Sequence, residues 1–156
     1  MNWMKLLASV VTCQLAGALG AVFTSSAIPS WYAGLKKPAF TPPGWLFGPM
    51  WISLYLLMAL AAYLVWQKGL SHPGARAALM VFVGQLLLNA LWSPVFFGMR
   101  APLAAAVVII LLWLAIALTI FLFWKISRPA ALLLLPYILW VSLAATLNVS
   151  IYLLNR

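Results

Sequence analysis

Five long apolar stretches constrain this chain more than any other feature of its sequence. They cover residues 6–28, 45–66, 75–99, 102–124 and 130–154. A helix needs about 20 residues to cross a hydrocarbon core of about 30 Å, and each stretch meets that length. Since lipid offers no hydrogen-bond partners to exposed backbone groups, the sequence predicts an all-α integral membrane protein. Its single domain, residues 1–156, is predicted to be a bundle of five transmembrane helices.

The connections between these stretches contain the expected helix-breaking residues. The first is long and rich in proline, and the others are short, with the sequences "QKGLSHPGAR", "GMRAP" and "KISRPA". The first stretch follows Lys5, as the apolar part of a signal peptide would. Its length of about 23 residues and the poor cleavage site "SSAIPS" favour a retained helix over a signal peptide.

The chain contains no Asp and no Glu. No carboxylate side chain can therefore serve as a general acid, general base, nucleophile or metal ligand. Motifs such as GxSxG and Gly-rich phosphate loops are also absent, and the single cysteine, Cys13, has no partner for an internal disulfide. The sequence thus argues against conventional enzyme chemistry and against a metal site.

The Lys and Arg residues lie at the ends of the apolar stretches. Anionic lipid headgroups can neutralise them there, so the net charge of +9 indicates membrane anchoring rather than nucleic-acid binding. The two ends of the bundle carry similar numbers of cations, so the positive-inside rule barely orients it. One end has Lys5, Lys68, Arg76, Lys125 and Arg128, and the other has Lys36, Lys37, Arg100 and Arg156.

Polar and aromatic side chains within the predicted helices recur at spacings of three and four residues, which places them on single helix faces. Such faces point to protein or to a pocket, because a polar group facing lipid is costly. The third stretch has Gln85, Asn89, Trp92, Ser93 and Phe96; the fifth has Tyr137, Trp140, Ala144, Leu147, Asn148 and Tyr152; the second has Trp51 and Tyr55. The alternative role of these groups is to join helices, typically for about 0.6 to 2 kcal/mol each.

The remaining intramembrane residues suggest packing and anchoring. Small residues in the first stretch, Ala16, Gly17, Gly20 and Ala21, permit close helix contact either within the chain or in a dimer. The fourth stretch is almost entirely apolar apart from Thr119, so we expect it to face lipid or a second subunit. Tryptophans near helix ends are typical interface anchors; these are Trp3, Trp31, Trp45, Trp66 and Trp124.

Three segments, "WYAGLKKPAFTPPGWLFGPMWISLY", "QLLLNALWSPVFFGMR" and "LPYILWVSLAATLN", resemble the tryptophan-rich sensory protein family. This is the TspO/MBR family, which includes the translocator proteins, or peripheral benzodiazepine receptors. The resemblance covers nearly the whole chain in order. It implies a five-helix bundle, commonly a homodimer, whose first loop folds over a ligand pocket.

The resemblance also implies a function. Members of the family bind porphyrins such as protoporphyrin IX, or haem, and in many cases cholesterol-like sterols and benzodiazepine-type drugs, for sensing, buffering or transport. The tetrapyrrole is a ligand in this case and not a covalently bound cofactor. The positions that match the family's pocket are Tyr32, Trp51, Tyr55, Asn89, Trp92, Ser93, Trp140, Ala144 and Leu147.

The chain lacks acidic residues at positions where the family often has them. The first loop of the family often carries an acidic residue near the "WY", and the fourth helix often carries an Asp where Val108 stands here. A polar contact from that helix to the ligand is therefore not expected. A sterol-type pattern is formed by Leu147, Tyr152 and Arg156, although such patterns are weak wherever they occur.

The first loop itself suggests a ligand contact. Prolines fix φ and lack an N–H donor, so "KPAFTPPG" is expected to form a semi-rigid segment across the end of the bundle that presents Tyr32, Phe40 and Trp45 to an aromatic ligand. The ammonium groups of Lys36 and Lys37 are then candidates to contact ligand carboxylates. The alternative is that they extend to lipid phosphates.

Two other functions remain open from the sequence. One is light-dependent porphyrin degradation, in which the bound porphyrin absorbs light and Trp51 or Trp140 donates an electron, since no carboxylate side chain is available as an acid or base. The other is a regulatory membrane scaffold. The expected location is a bacterial membrane, either inner or outer.

Overall fold

The computed structural model describes residues 2–156, and this part of the chain is helical without any strand. The prediction of a five-helix membrane bundle is confirmed, because five helical spans are long and apolar enough to cross a membrane. A 3₁₀ turn, Tyr32–Gly34, lies in the first loop, and a π-helical turn, Pro94–Gly98, continues the third helix. The helices are α1 (Trp3–Ala27), α2 (Gly44–Gln67), α3 (Ala75–Ser93), α4 (Pro102–Ile126), α5 (Arg128–Leu133) and α6 (Leu135–Asn155).

The fifth span is broken into α5 and α6, where the sequence predicts one continuous helix. The interruption is at Leu134, with φ −89° and ψ −7°. Pro136 follows two residues later, and its ring both removes an N–H donor and crowds the carbonyl four residues before it. The two helices nevertheless form one membrane span.

The helices pack in the order α1, α2, fifth span, α4 and α3, and α3 closes the ring against α1. The second helix meets the fifth span mainly through the short α5, and only weakly through α6. Because α5 lies at the end opposite the first loop, α2 and α6 separate towards the loop.

At the end of the bundle far from the first loop, hydrogen bonds join the start of α1 to the end of α2. The ammonium of Lys5 donates to the carbonyl of Trp66 at 3.1 Å and lies 5.5 Å from the centre of its ring. The backbone N–H of Asn2 donates to the hydroxyl of Tyr63 at 3.2 Å. These contacts hold the two helices together at the end that is far from the first loop.

The fourth helix has one packed face and one exposed face, and contact of the exposed face with lipid or a second subunit stays a prediction. Its buried residues recur every three or four positions and include Ile109, Leu112, Ile116 and Phe123. Thr119, which is also buried, donates to the carbonyl of Ala115 at 2.7 Å. The helix therefore supports α3 and α6 without offering a polar group to the interior.

Candidate functional site

A cavity of about 530 Å³ lies in the loop-side half of the bundle. It is bounded by the second half of α1 and the first half of α2, with α3 behind them. Its size is typical of small-molecule sites, which range from about 300 to 1,000 Å³. Lining residues include Gly17, Gly20 and Thr24 of α1, Trp51 and Tyr55 of α2, and Asn89 and Ser93 of α3.

Small residues of α1 shape one wall of this cavity. A Cβ atom added to Gly17 would lie 2.5 Å from two ring carbons of Tyr55, so the Tyr55 ring lies directly against the glycine. A Cβ added to Gly20 would lie 3.2 Å from Oγ of Ser93. The small residues therefore serve close packing of α1 on α2 and α3 within the chain. A homodimer stays a prediction.

A chain of buried hydrogen bonds leads from the cavity wall into the bundle. The hydroxyl of Tyr55 donates to Oδ1 of Asn89, and Nδ2 of Asn89 donates to the hydroxyl of Tyr137 at 2.7 Å. That hydroxyl in turn donates to Oε1 of Gln85 at 2.8 Å. Because these hydrogen bonds join α2, α3 and α6, Asn89 and Gln85 act as helix-joining groups. A ligand contact by Asn89 stays a prediction.

A second and much smaller space, the slot, has a volume of about 20 Å³. The side chain of Phe47 lines both the cavity and the slot and so forms the partition between them. The structure divides the nine predicted ligand residues accordingly. Trp51, Tyr55, Asn89 and Ser93 line the cavity, Tyr32, Trp92, Ala144 and Leu147 line the slot, and Trp140 packs edge-on against Phe47 at 6.0 Å between ring centres.

Two buried donors beside this partition have no hydrogen-bond partner within residues 2–156. They are the hydroxyl of Tyr32 and Nε1 of Trp140, and their side chains are only 6% and 9% exposed. Tyr32 also lies edge-on to Phe47, at 6.4 Å. Burial raises the pKa of Tyr32 to about 12, so its hydroxyl remains a donor at neutral pH. An unpaired buried donor is costly, which makes both groups candidates to bind an acceptor atom of a ligand.

The indole of Trp92, in contrast, is already paired. Its Nε1 donates to Oδ1 of Asn148 at 3.0 Å, and Nδ2 of Asn148 donates to the carbonyl of Pro102 at 2.7 Å. The Trp92 ring stacks on Phe96 with 5.1 Å between centres. This residue therefore offers the slot an aromatic surface and no free donor.

Neither the cavity nor the slot has a charged residue among its described lining residues. The nearby cation Lys37 is engaged within the first loop. Its ammonium donates to the carbonyls of Tyr32, Ala33 and Leu35 at 2.8, 3.3 and 2.9 Å and lies 4.9 Å from the centre of the Tyr32 ring. A carboxylate contact by Lys37 must compete with these three bonds, whereas Lys36 is exposed. Contact of either lysine with a ligand stays a prediction.

Three aromatic residues of the first loop and its surroundings take different positions. Phe40, which the sequence places against a ligand, is 49% exposed and lies outside the cavity lining. Trp45 lines the cavity, where the loop hypothesis places it, and its side chain is 74% exposed. Trp31 packs edge-on against Phe96 at 5.6 Å, and its role as a membrane anchor stays a prediction. Sequence reasoning also missed Phe47, since nothing in its spacing marks it as a partition.

Comparison with known proteins gives a consistent result. The sequence pattern of the TspO/MBR family matches residues 9–154. The chain is 46% identical over 155 residues to a tryptophan-rich protein TspO from Archaeoglobus fulgidus, covering 99% of each chain. It is 43% identical over 143 residues to the protein of that name from Chlorobaculum tepidum, covering 92% of this chain and 90% of the other. With the Homo sapiens translocator protein it shares 36% identity over 151 residues, covering 96% and 89%.

Proposed function

Because the chain belongs to the TspO/MBR family of multi-pass membrane proteins, we propose that it binds a tetrapyrrole, protoporphyrin IX or haem, reversibly in the cavity and slot. Sensing, buffering or transport of the ligand would follow from such binding. The observation that carries the proposal is the pair of buried, unpaired donors of Tyr32 and Trp140 next to an uncharged aromatic cavity.

The surface of the cavity suits a flat apolar ligand. Trp51 and Tyr55 present neighbouring rings with 5.7 Å between centres and 31° between planes, and aromatic rings favour offset stacking on another π system. The uncharged lining disfavours a buried carboxylate, because an unpaired charge in a low-dielectric site is strongly penalised. We therefore place the macrocycle inside and its carboxylates at the loop-side opening.

The partition decides how deep the ligand can reach. Phe47 contacts Tyr32 and Trp140 only edge-on, and each such aromatic pair contributes about 0.5 to 1.5 kcal/mol. A ligand that bonds both unpaired donors must displace this ring and join the slot to the cavity. The same enlarged space would accept a sterol or a drug-type ligand, whose hydroxyl or carbonyl can accept from these donors.

Replacing Trp140 by Phe is expected to weaken ligand binding more than it weakens folding. The variant removes an unpaired N–H, which favours folding, but the smaller ring leaves part of the space of the buried indole empty, so thermal stability in detergent should change little. Affinity for protoporphyrin IX should fall by about fivefold, since one hydrogen bond to the ligand is lost. Trp124→Phe is the matched control, because Trp124 is exposed near the opposite end of the bundle, and it should leave both properties unchanged. Equal affinity in the two variants would remove Trp140 from the site.

The general proposal is tested by direct titration. The purified protein is titrated separately with protoporphyrin IX, haem and cholesterol while tryptophan fluorescence is followed. Saturable quenching by a tetrapyrrole is expected. The amplitude of the quenching should be smaller in Trp51→Phe than in the wild type, because the Trp51 indole lines the cavity. Absence of saturable binding for both tetrapyrroles would overturn the proposal, and saturation by cholesterol alone would assign the cavity to a sterol.

Separate replacement of the two loop lysines by Gln should give different results. Exposed Lys36 is expected to matter only for a ligand with free carboxylates, so Lys36→Gln should weaken protoporphyrin IX, by at most about fivefold, and spare its dimethyl ester. The effect should shrink as salt rises. Lys37→Gln should weaken both ligands alike, because Lys37 bonds three loop carbonyls. The reverse pattern would mean that Lys37, and not Lys36, contacts the ligand.

Light-dependent degradation of the porphyrin is the second candidate. The observation in its favour is that the indole of Trp51 lines the cavity, where it could donate an electron to an excited porphyrin. In this case the bound porphyrin should bleach under illumination in air faster than it does with an unrelated porphyrin-binding protein, and Trp51→Phe should slow the bleaching. Equal bleaching rates would leave reversible binding as the function.

A further inference from the structure

The first loop, residues 28–43, is attached to the bundle partly by an aromatic anchor. The ring of Tyr32 is buried against Phe47, Phe96 and Phe97, with 6.4, 6.4 and 5.7 Å between ring centres. Lys37 closes the same turn internally through its bonds to loop carbonyls. This anchor is apolar and buried, so it fixes the first part of the loop and leaves the segment beyond Leu35 to be held by other contacts.

The segment beyond the anchor is held by one side chain at the end of α6. Oδ1 of Asn155 accepts from the backbone N–H of Lys36 at 3.0 Å, and Nδ2 donates to the carbonyl of Lys36 at 2.9 Å. The same Nδ2 donates to the carbonyl of Ile151 at 2.8 Å, which orients the amide. The side chain thus pairs with Lys36 as a neighbouring strand would, although the two residues are 119 positions apart.

No other hydrogen bond within residues 2–156 joins the loop to a helix beyond its two neighbours. The remaining bonds are local, such as those of Ser30 to Ser26, Leu35 to Tyr32 and Thr41 to Pro38. Asn155 and Lys36 are both exposed, so water can replace their two bonds with little penalty. The contact is therefore suited to open and close, while the Tyr32 anchor stays in place.

We propose that Asn155 is a positioning residue that holds the first loop closed and thereby slows the exit of the ligand. The identity of the ligand in this inference rests on the proposed function. The attachment of the loop by Asn155 does not depend on that function.

When the two bonds break, no hydrogen bond within residues 2–156 holds the segment from Lys36 to the start of α2 to α6. The segment can then move away from α6 while the flexible Lys37 side chain stays bonded to the Tyr32 turn. Because α2 begins at Gly44 and carries Trp45 and Phe47 of the cavity lining, movement of this segment displaces the adjoining part of the cavity wall and so opens a path for the ligand.

Hydrogen exchange of the ligand-free protein tests the attachment alone. In Asn155→Ala, amides of peptides covering residues 36–43 should exchange about fivefold faster than in the wild type, whereas those of residues 28–35, fixed by the Tyr32 anchor, should not change. Asn155→Asp should give an intermediate rate, because its carboxylate still accepts from the Lys36 N–H but cannot donate to the carbonyl. Asn2→Ala is the matched control, since Asn2 caps α1 at the opposite end through the N–H of Lys5, and loop exchange should stay unchanged. Unchanged loop exchange in Asn155→Ala would overturn the proposal.

Ligand release tests the second half of the proposal. Dissociation of protoporphyrin IX, followed by recovery of tryptophan fluorescence, should be about fivefold faster in Asn155→Ala, with association accelerated as well, so that the equilibrium affinity changes less than either rate. Faster loop exchange with an unchanged dissociation rate would overturn the gating role. If the wild type binds no tetrapyrrole, the proposed function fails, whereas the exchange experiment still decides whether Asn155 holds the loop.

Discussion

Replacing Gly17 by Ala is expected to lower the affinity for protoporphyrin IX at least tenfold and the free energy of unfolding by about 1 to 3 kcal/mol, as for other over-packed sites. The added Cβ would lie 2.5 Å from two ring carbons of Tyr55, so one of the two must move. The ring cannot swing freely, because its hydroxyl is bonded to Asn89. The strain therefore spreads into the cavity wall and into the buried hydrogen-bond chain.

Gly84→Ala is the matched control for this variant. Gly84 is also a helical glycine, in α3, but a Cβ added there meets no atom within 4 Å. Because Ala has the higher helix propensity, stability should be unchanged or higher by up to about 1 kcal/mol, with ligand affinity unaffected. Thermal unfolding in detergent and porphyrin titration measure both quantities. Equal behaviour of the two alanine variants would show that α1 can shift away from Tyr55 at no cost.

Removing the hydroxyl of Tyr137 is the second change with a large expected effect. Tyr137→Phe leaves Nδ2 of Asn89 and Oε1 of Gln85 without their partner in the core. Leaving such groups unpaired lowers the free energy of unfolding, by about 2 kcal/mol in total. The average of about 0.6 kcal/mol per bond in a membrane bundle sets the lower end of the expected loss. Tyr152→Phe is the control, because Tyr152 is half-buried and takes no part in these hydrogen bonds. It should change stability by much less.

The same variant distinguishes the two roles of the polar residues. Tyr137 lines neither the cavity nor the slot, so porphyrin affinity of the folded Tyr137→Phe protein should stay close to that of the wild type. Asn89→Ala should lose comparable stability, and any additional loss of affinity then measures its own contact with the ligand. If Tyr137→Phe lowered affinity without lowering stability, the buried hydrogen bonds would serve to position the ligand and not to join the helices.

Several features of the site follow from local sequence pattern. The inward face of the third span was predicted from the spacing of Gln85, Asn89 and Trp92, and the structure buries all three. Small residues at Gly17 and Gly20 predicted a close helix contact without naming its partner. Both predictions succeed for one reason: the side chains that share a face of a helix are set by its 3.6-residue period.

Other features depend on contacts that no local pattern encodes. Spacing places Asn89 on the inner face, but its engagement by Tyr55 and Tyr137 depends on residues 34 and 48 positions away. Lys37 is a flexible cation in the sequence, and only the turn at Tyr32 brings three carbonyls within reach of its ammonium. The same is true of Asn155, whose partner lies in the first loop.

The sequence by itself determined the five spans, their approximate ends and their polar faces. In lipid, each helix must satisfy its own backbone, so hydropathy and proline positions are sufficient for these properties. Only the tertiary structure decided that Phe47 separates a cavity from a slot, that the buried donors of Tyr32 and Trp140 have no partner within residues 2–156, and that Asn155 bonds Lys36 of the first loop. These properties depend on the rotation and separation of helices that are distant in sequence, and a shift of a few ångströms there makes or breaks a hydrogen bond.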